Sequence, residues 1–133
     1  MKTKNKAGNV DGFVLVVPKK SLQAYKKMAQ EGKDAWLKYG ALDYRECKGD
    51  DLKIKKQPGM PMGLSFTKLA KARANETVWF SFITFKNKKH RDMVNKKVMA
   101  AMSKQYADVD PKDFKMPFDV RRMAYGGFAV EVS

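Results

Sequence analysis

Apolar and polar positions along this chain repeat with two periods, and the switch between them marks out its elements. Residues 10–17 (Val10, Asp11, Gly12, Phe13, Val14, Leu15, Val16, Val17) are almost continuous in β-branched and aromatic side chains and stop at Pro18, which predicts a strand inside a sheet. After Ser21, a plausible N-cap, Leu22, Tyr25, Ala29, Trp36 and Tyr39 recur at spacings of three and four, the signature of one helical stripe. Gly40 supplies the stop, because a residue without Cβ enters the left-handed region cheaply. Residues 41–47 alternate again, with Leu42, Tyr44 and Glu46 on one face and Asp43, Arg45 and Cys47 on the other.

The clearest strand is residues 77–85, Thr77-Val78-Trp79-Phe80-Ser81-Phe82-Ile83-Thr84-Phe85. A helical stretch over 86–102 follows, with Val94, Val98 and Ala101 on one face, and residues 121–132 close the chain. There the paired Gly126 and Gly127 predict a bulge or a close backbone approach. Between the second and third strands, residues 49–63 are charged and then rich in Pro and Gly, as in a long exposed loop; residues 65–74 fit an extended piece followed by a short helix.

The order is βαββαβ, an α+β arrangement of the ferredoxin-like kind: a four-stranded antiparallel sheet with two helices on one face. Phe13, Trp79, Phe80, Phe82, Tyr125 and Phe128 cannot all lie beneath two helices, since alternate strand residues point to opposite sides. Large apolar patches rarely stay bare, so a second chain or a ligand is expected on the open face.

Composition narrows this picture. A chain of 133 residues suits one domain, placed at 10–133, preceded by a basic flexible arm over 1–9 that carries Lys2, Lys4 and Lys6. The arm has no apolar run of signal-peptide length, and no stretch reaches the ~20 apolar residues of a membrane helix, so a cytoplasmic protein without a membrane partner is expected. One cysteine, Cys47, and one histidine, His90, provide neither an internal disulfide nor a Cys/His zinc site, and no phosphate loop or dinucleotide fingerprint occurs; neither metal nor cofactor is expected. Cys47 reads as a small buried side chain and His90 as a surface residue among lysines. The net charge of +14 biases the chain toward polyanions without specifying recognition.

Five separated segments together resemble the YbaA-like family of uncharacterised bacterial proteins: Val10-Asp11-Gly12-Phe13-Val14-Leu15, Gly40-Ala41-Leu42-Asp43-Tyr44, Glu76-Thr77-Val78-Trp79-Phe80-Ser81, Met116-Pro117-Phe118-Asp119 and Arg122-Met123-Ala124-Tyr125-Gly126-Gly127-Phe128. The resemblance implies a homodimeric α+β barrel in which two ferredoxin-like sheets pack face to face. It brings no established activity, and the wider superfamily includes cofactor-independent monooxygenases, isomerases and stress proteins.

Three functional readings result. The first is a homodimer that binds a small, partly apolar ligand at the sheet face, with Asp11, Tyr44, Glu46, Trp79 and Tyr125 near the pocket. Within that set Asp11, Glu46 and Tyr125 have the chemistry of a general acid or base and an oxyanion donor. A structural role for the two carboxylates, paired with backbone or with Arg45, Arg121 or Arg122, competes with it. The second reading is nucleic-acid binding through the arm, Lys53, Lys55, Lys56 and exposed rings at Phe80 and Phe82, since Phe80-Ser81-Phe82-Ile83-Thr84-Phe85 partly resembles the third-strand signature of RNA-recognition motifs. The third is a cofactor-independent oxygenase or isomerase.

Overall fold

A computed structural model describes residues 6–133. Its elements run β1 (Asn9–Pro18), a 3₁₀ turn (Lys19–Ser21), α1 (Leu22–Lys38), β2 (Asp43–Lys48), α2 (Phe66–Leu69), β3 (Glu76–Phe85), α3 (Lys88–Gln105), a second 3₁₀ turn (Val120–Arg122) and β4 (Ala124–Ala129). All strand pairings are antiparallel in the order β2-β3-β1-β4, so the first and third strands are central and the second and fourth are edges. This is the ferredoxin-like α+β topology.

Most of the expected arm, residues 1–5, lies outside the described residues. Its end is tied to the sheet: Asn9 opens β1, and Gly8 N–H donates to Phe85 O at 2.9 Å. Ser21 stands at the N-terminus of α1 without a side-chain capping bond, because the 3₁₀ turn already leads into the helix. At the other end Gly40 adopts φ +114°, as its lack of Cβ allows. Asn87 caps α3 by accepting from His90 N–H at 2.8 Å. The segment over 65–74 contains only the short α2, capped by Ser65.

Register divides the aromatic residues between two faces. Phe13 pairs with Ser81, Leu15 with Trp79, Glu46 with Ser81 and Phe13 with Tyr125, which sends the odd positions of β1, β3 and β4 and the even positions of β2 toward α1 and α3. On this side Leu15, Val17, Tyr25, Ala29 and Trp79 form one core cluster, and Ala41, Ile83, Phe85, Val94 and Val98 a second. Each fully buried large side chain contributes roughly 1.5–3 kcal/mol. The opposite face carries Val14, Val16, Val78, Phe80, Phe82 and Phe128. Val16 and Val78 are buried, but Phe80 is 44% and Phe128 62% exposed.

One local expectation is decided between its two alternatives and another is corrected. No bulge interrupts β4: Asp11 and Gly12 pair in regular succession with Gly127 and Gly126. The close-approach alternative holds instead, since a Cβ at Gly127 would meet Arg91 Nη2 at 3.2 Å and Asp11 Oδ1 at 3.3 Å. Cys47 is exposed, because it lies on an edge strand and points away from the face that α1 and α3 cover.

Candidate functional site

Alternation in β2 places Tyr44 and Glu46 side by side under α1, and Ser81 of β3 lies directly opposite Glu46. Tyr25, on the buried stripe of α1, reaches down from above. Its hydroxyl donates to Glu46 Oε1 at 2.7 Å, the Tyr44 hydroxyl donates to Oε2 at 2.7 Å, and the Ser81 hydroxyl donates to Oε1. A carboxylate only accepts, so all three hydroxyls are committed as donors. Burial, reinforced by the negative charge of Glu46, pushes the hydroxyl pKa values of Tyr25 and Tyr44 well above the usual phenol range.

Above this carboxylate lies a cavity of about 280 Å³ between the sheet and α1. Phe13, Leu15, Ser81 and Ile83 contribute from the central strands, and Tyr44 and Glu46 from β2. From α1 come Tyr25, Met28, Ala29, Gly32 and Trp36. Gly32 makes room for the polar floor: a Cβ there would stand 3.0 Å from Tyr44 Oη. The outer wall is Met102 at the end of α3 with Tyr106, Phe114, Met116 and Phe118 of the following loop, where the Tyr106 and Phe114 rings meet edge to face at 5.6 Å. Methionines adapt to irregular shapes, which suits a wall around a guest. Glu46 and Tyr44 also border a second, outer cleft of about 390 Å³ rimmed by Lys26 and Lys33.

Asp11 and Tyr125 belong to a different network. Asp11, 1% exposed, accepts from Arg91 Nε at 2.8 Å through Oδ1 and from Asn95 Nδ2 at 3.0 Å through Oδ2. Tyr125 donates to Oδ2 at 3.4 Å and accepts from Arg91 Nη2 at 3.0 Å, while its ring stacks on Phe13 at 4.8 Å. Asn95 Oδ1 accepts in turn from Trp36 Nε1 at 2.9 Å. The network joins α3 and α1 to the sheet.

The structure therefore splits the five pocket residues expected from sequence. All five lie on the helix-covered face rather than the open one. Tyr44 and Glu46 line the cavity, whereas Asp11 and Tyr125 do not. Trp79 sits behind Tyr25, its ring 4.8 Å away, and its indole donates to Thr77 Oγ1 at 3.1 Å. Neither carboxylate pairs with Arg45, Arg121 or Arg122: these bind Asp43, Asp119 and Glu76, the neighbours that local geometry offers them. Tyr25, Ser81 and Trp36 were not singled out by sequence as site residues. The available signal was Ser81, the one hydroxyl between Trp79 and Ile83 in an aromatic strand.

Phe80 and Phe82 occupy the opposite face with ring centroids 5.8 Å apart, and Phe66 leans on Phe80 at 6.4 Å. Lys53, Lys55 and Lys56 are exposed on the loop between β2 and α2. Lys53 borders a wide groove with Lys19, Lys68 and Arg73. Among the described residues no cluster of His, Cys, Asp and Glu is arranged to hold a metal ion, and no helix is long and apolar enough to cross a membrane.

The sequence has relatives among known proteins. The chain is 38% identical over 121 residues to "Uncharacterized protein YbaA" of Escherichia coli (strain K12), covering 90% of this chain and 92% of that protein. The proteins of the same name from Escherichia coli O157:H7 and Shigella flexneri match to the same extent. Residues 9–120 match the family described as "Protein of unknown function (DUF1428)", and the chain belongs to that family.

Proposed function

We propose that the protein binds a small, largely apolar molecule in the cavity beneath α1, with the Glu46 carboxylate as its polar anchor. The observation behind this reading is a cavity of about 280 Å³ whose wall is aromatic and methionine-rich and whose floor is one hydrogen-bonded carboxylate. An apolar cavity of ~150 Å³ accepts benzene, so this volume suits a single substituted ring. Tyr25 and Tyr44 hold the carboxylate in place and take no part as bases, since both keep their protons. The test is a thermal-shift screen of monosubstituted benzenes on the wild-type chain and on Ala29→Leu, which fills the cavity from α1. Binders should raise the midpoint of the first and leave the second unchanged; equal shifts in both would place binding elsewhere.

A second copy of the chain is the partner that the open face suits best. Phe80 and Phe128 are exposed there beside the half-buried Phe82, with Phe66 leaning on Phe80, and a two-fold axis that sets one self-complementary patch against its copy is the simplest way to cover them. Light scattering should report a dimer for the wild type and a monomer for Phe80→Glu combined with Phe128→Glu. A monomeric wild type that binds single-stranded RNA through Phe80 and Phe82 would favour the nucleic-acid reading instead.

A further inference from the structure

We infer that the molecule held beneath α1 is a hydrogen-bond donor, best satisfied by an organic ammonium: a primary amine on a short apolar or aromatic body. The inference rests on the cavity reading above and comes from an account of its polar atoms. Tyr25, Tyr44 and Ser81 each spend their only hydroxyl proton on Glu46. What these hydroxyls still offer the cavity is lone pairs. An ionised carboxylate has about four acceptor positions and three are filled, so one remains, next to Tyr44 on Oε2. Every polar side-chain atom of the floor is thus an acceptor, and a guest carrying only acceptors meets no donor there.

Charge points the same way. Glu46 has no salt-bridge partner among the described residues; the five ion pairs involve other carboxylates. Lys26, Lys33 and Arg45 line the outer cleft, Arg45 being paired with Asp43, and none of the three lines the cavity. A carboxylate without an ion-pair partner on the floor of an otherwise apolar cavity favours a ligand that brings a cation. The rings of Tyr25, Trp36, Tyr44 and Phe118 surround the same volume, and aromatic faces attract ammonium groups. The chain's net charge of +14 opposes a cation only weakly, because at physiological salt screening acts over ~8 Å and no Lys or Arg side chain lines the cavity.

The experiment compares four probes of one shape on the full-length chain by calorimetry and by Trp fluorescence: 2-phenylethylamine, 2-phenylethanol, ethylbenzene and 3-phenylpropanoate. The expected order of affinity is amine, alcohol, hydrocarbon, carboxylate, with the amine at least about tenfold tighter than ethylbenzene, as one charge-assisted hydrogen bond provides. Glu46→Gln should erase the amine's advantage while ethylbenzene still binds. Equal binding of amine and hydrocarbon, or preference for the carboxylate, overturns donor selection and leaves the cavity reading standing. If no probe binds, the cavity reading fails and the inference fails with it. The ranking on the wild-type chain decides even if Glu46→Gln does not fold.

Discussion

Glu46 of an edge strand and Ser81 of its neighbour face each other directly across the sheet, and this single register pairing puts a hydroxyl on a carboxylate beneath α1. Tyr25 and Tyr44 complete the shell from the helix and from the same strand, so one acidic side chain joins three elements.

Removing that carboxylate should cost more than removing any one hydroxyl. Glu46→Ala leaves three donors without their acceptor, and each buried unsatisfied group costs about 1–3 kcal/mol. A loss of about 3 kcal/mol is expected in urea unfolding. Ser81→Ala should lose only about 1 kcal/mol, since Tyr25 continues to satisfy the same oxygen.

Tyr25 and Tyr44 should resist alkaline titration. Their raised pKa values mean that the folded chain holds protons the unfolded chain would release, so the stability they contribute is present below pH 10 and falls above it. Absorbance near 295 nm should show both phenols ionising only as the fold is lost. Tyr25→Phe and Tyr44→Phe should each remove one phenol from that late step.

Acid stability has a separate source. Arg122 clamps Glu76 through contacts of 2.6 and 3.0 Å, and the Arg73 N–H adds a third bond, which together hold the Glu76 carboxyl down from about 4.5 to about 2. The unfolded chain therefore takes up this proton first, and stability rises with pH across that window. The contribution is complete above about pH 4.5 and disappears as pH falls toward 2. Glu76→Gln should flatten this part of the curve in urea unfolding measured at successive pH values.

Asp11 should couple the sheet to Trp36. Asp11→Ala strips Arg91 and Asn95 of a buried acceptor, and breaking such a pair costs about 3–5 kcal/mol. Asp11→Asn is subtler. An amide nitrogen facing Asn95 Nδ2 forces Asn95 to turn, and its carbonyl then leaves the Trp36 indole. The indole N–H resonance of Trp36 should move in Asp11→Asn and stay in place in Tyr125→Phe.

The order of strands and helices was legible because strands and helices here differ sharply in period, and the stop at Gly40 was legible because its φ demands glycine. The face assignment of Tyr44 and Glu46 within β2 also followed from alternation alone. Which face of β3 meets the helices did not, since Trp79 and Ile83 on one side are no less apolar than Phe80 and Phe82 on the other. That missing phase is why the pocket was expected on the open face; Asp11, Glu46 and Tyr125 do share one face, and what separates them is the helix above, Tyr25 of α1 over Glu46 and Arg91 and Asn95 of α3 over Asp11. The bond from Tyr25 to Glu46 depends on how α1 crosses β2, a packing relation that no local pattern encodes.

The most direct test of a binding cavity beneath α1 is the pattern of amide shift changes in a ¹H–¹⁵N spectrum as 2-phenylethylamine is titrated in. Saturable shifts centred on Gly32, Tyr44, Glu46, Ser81 and the Trp36 indole are expected, with Phe128 and Lys53 unmoved. Shifts centred instead on Phe80, Phe82 and Phe128, or no saturable shift at millimolar probe, would contradict it.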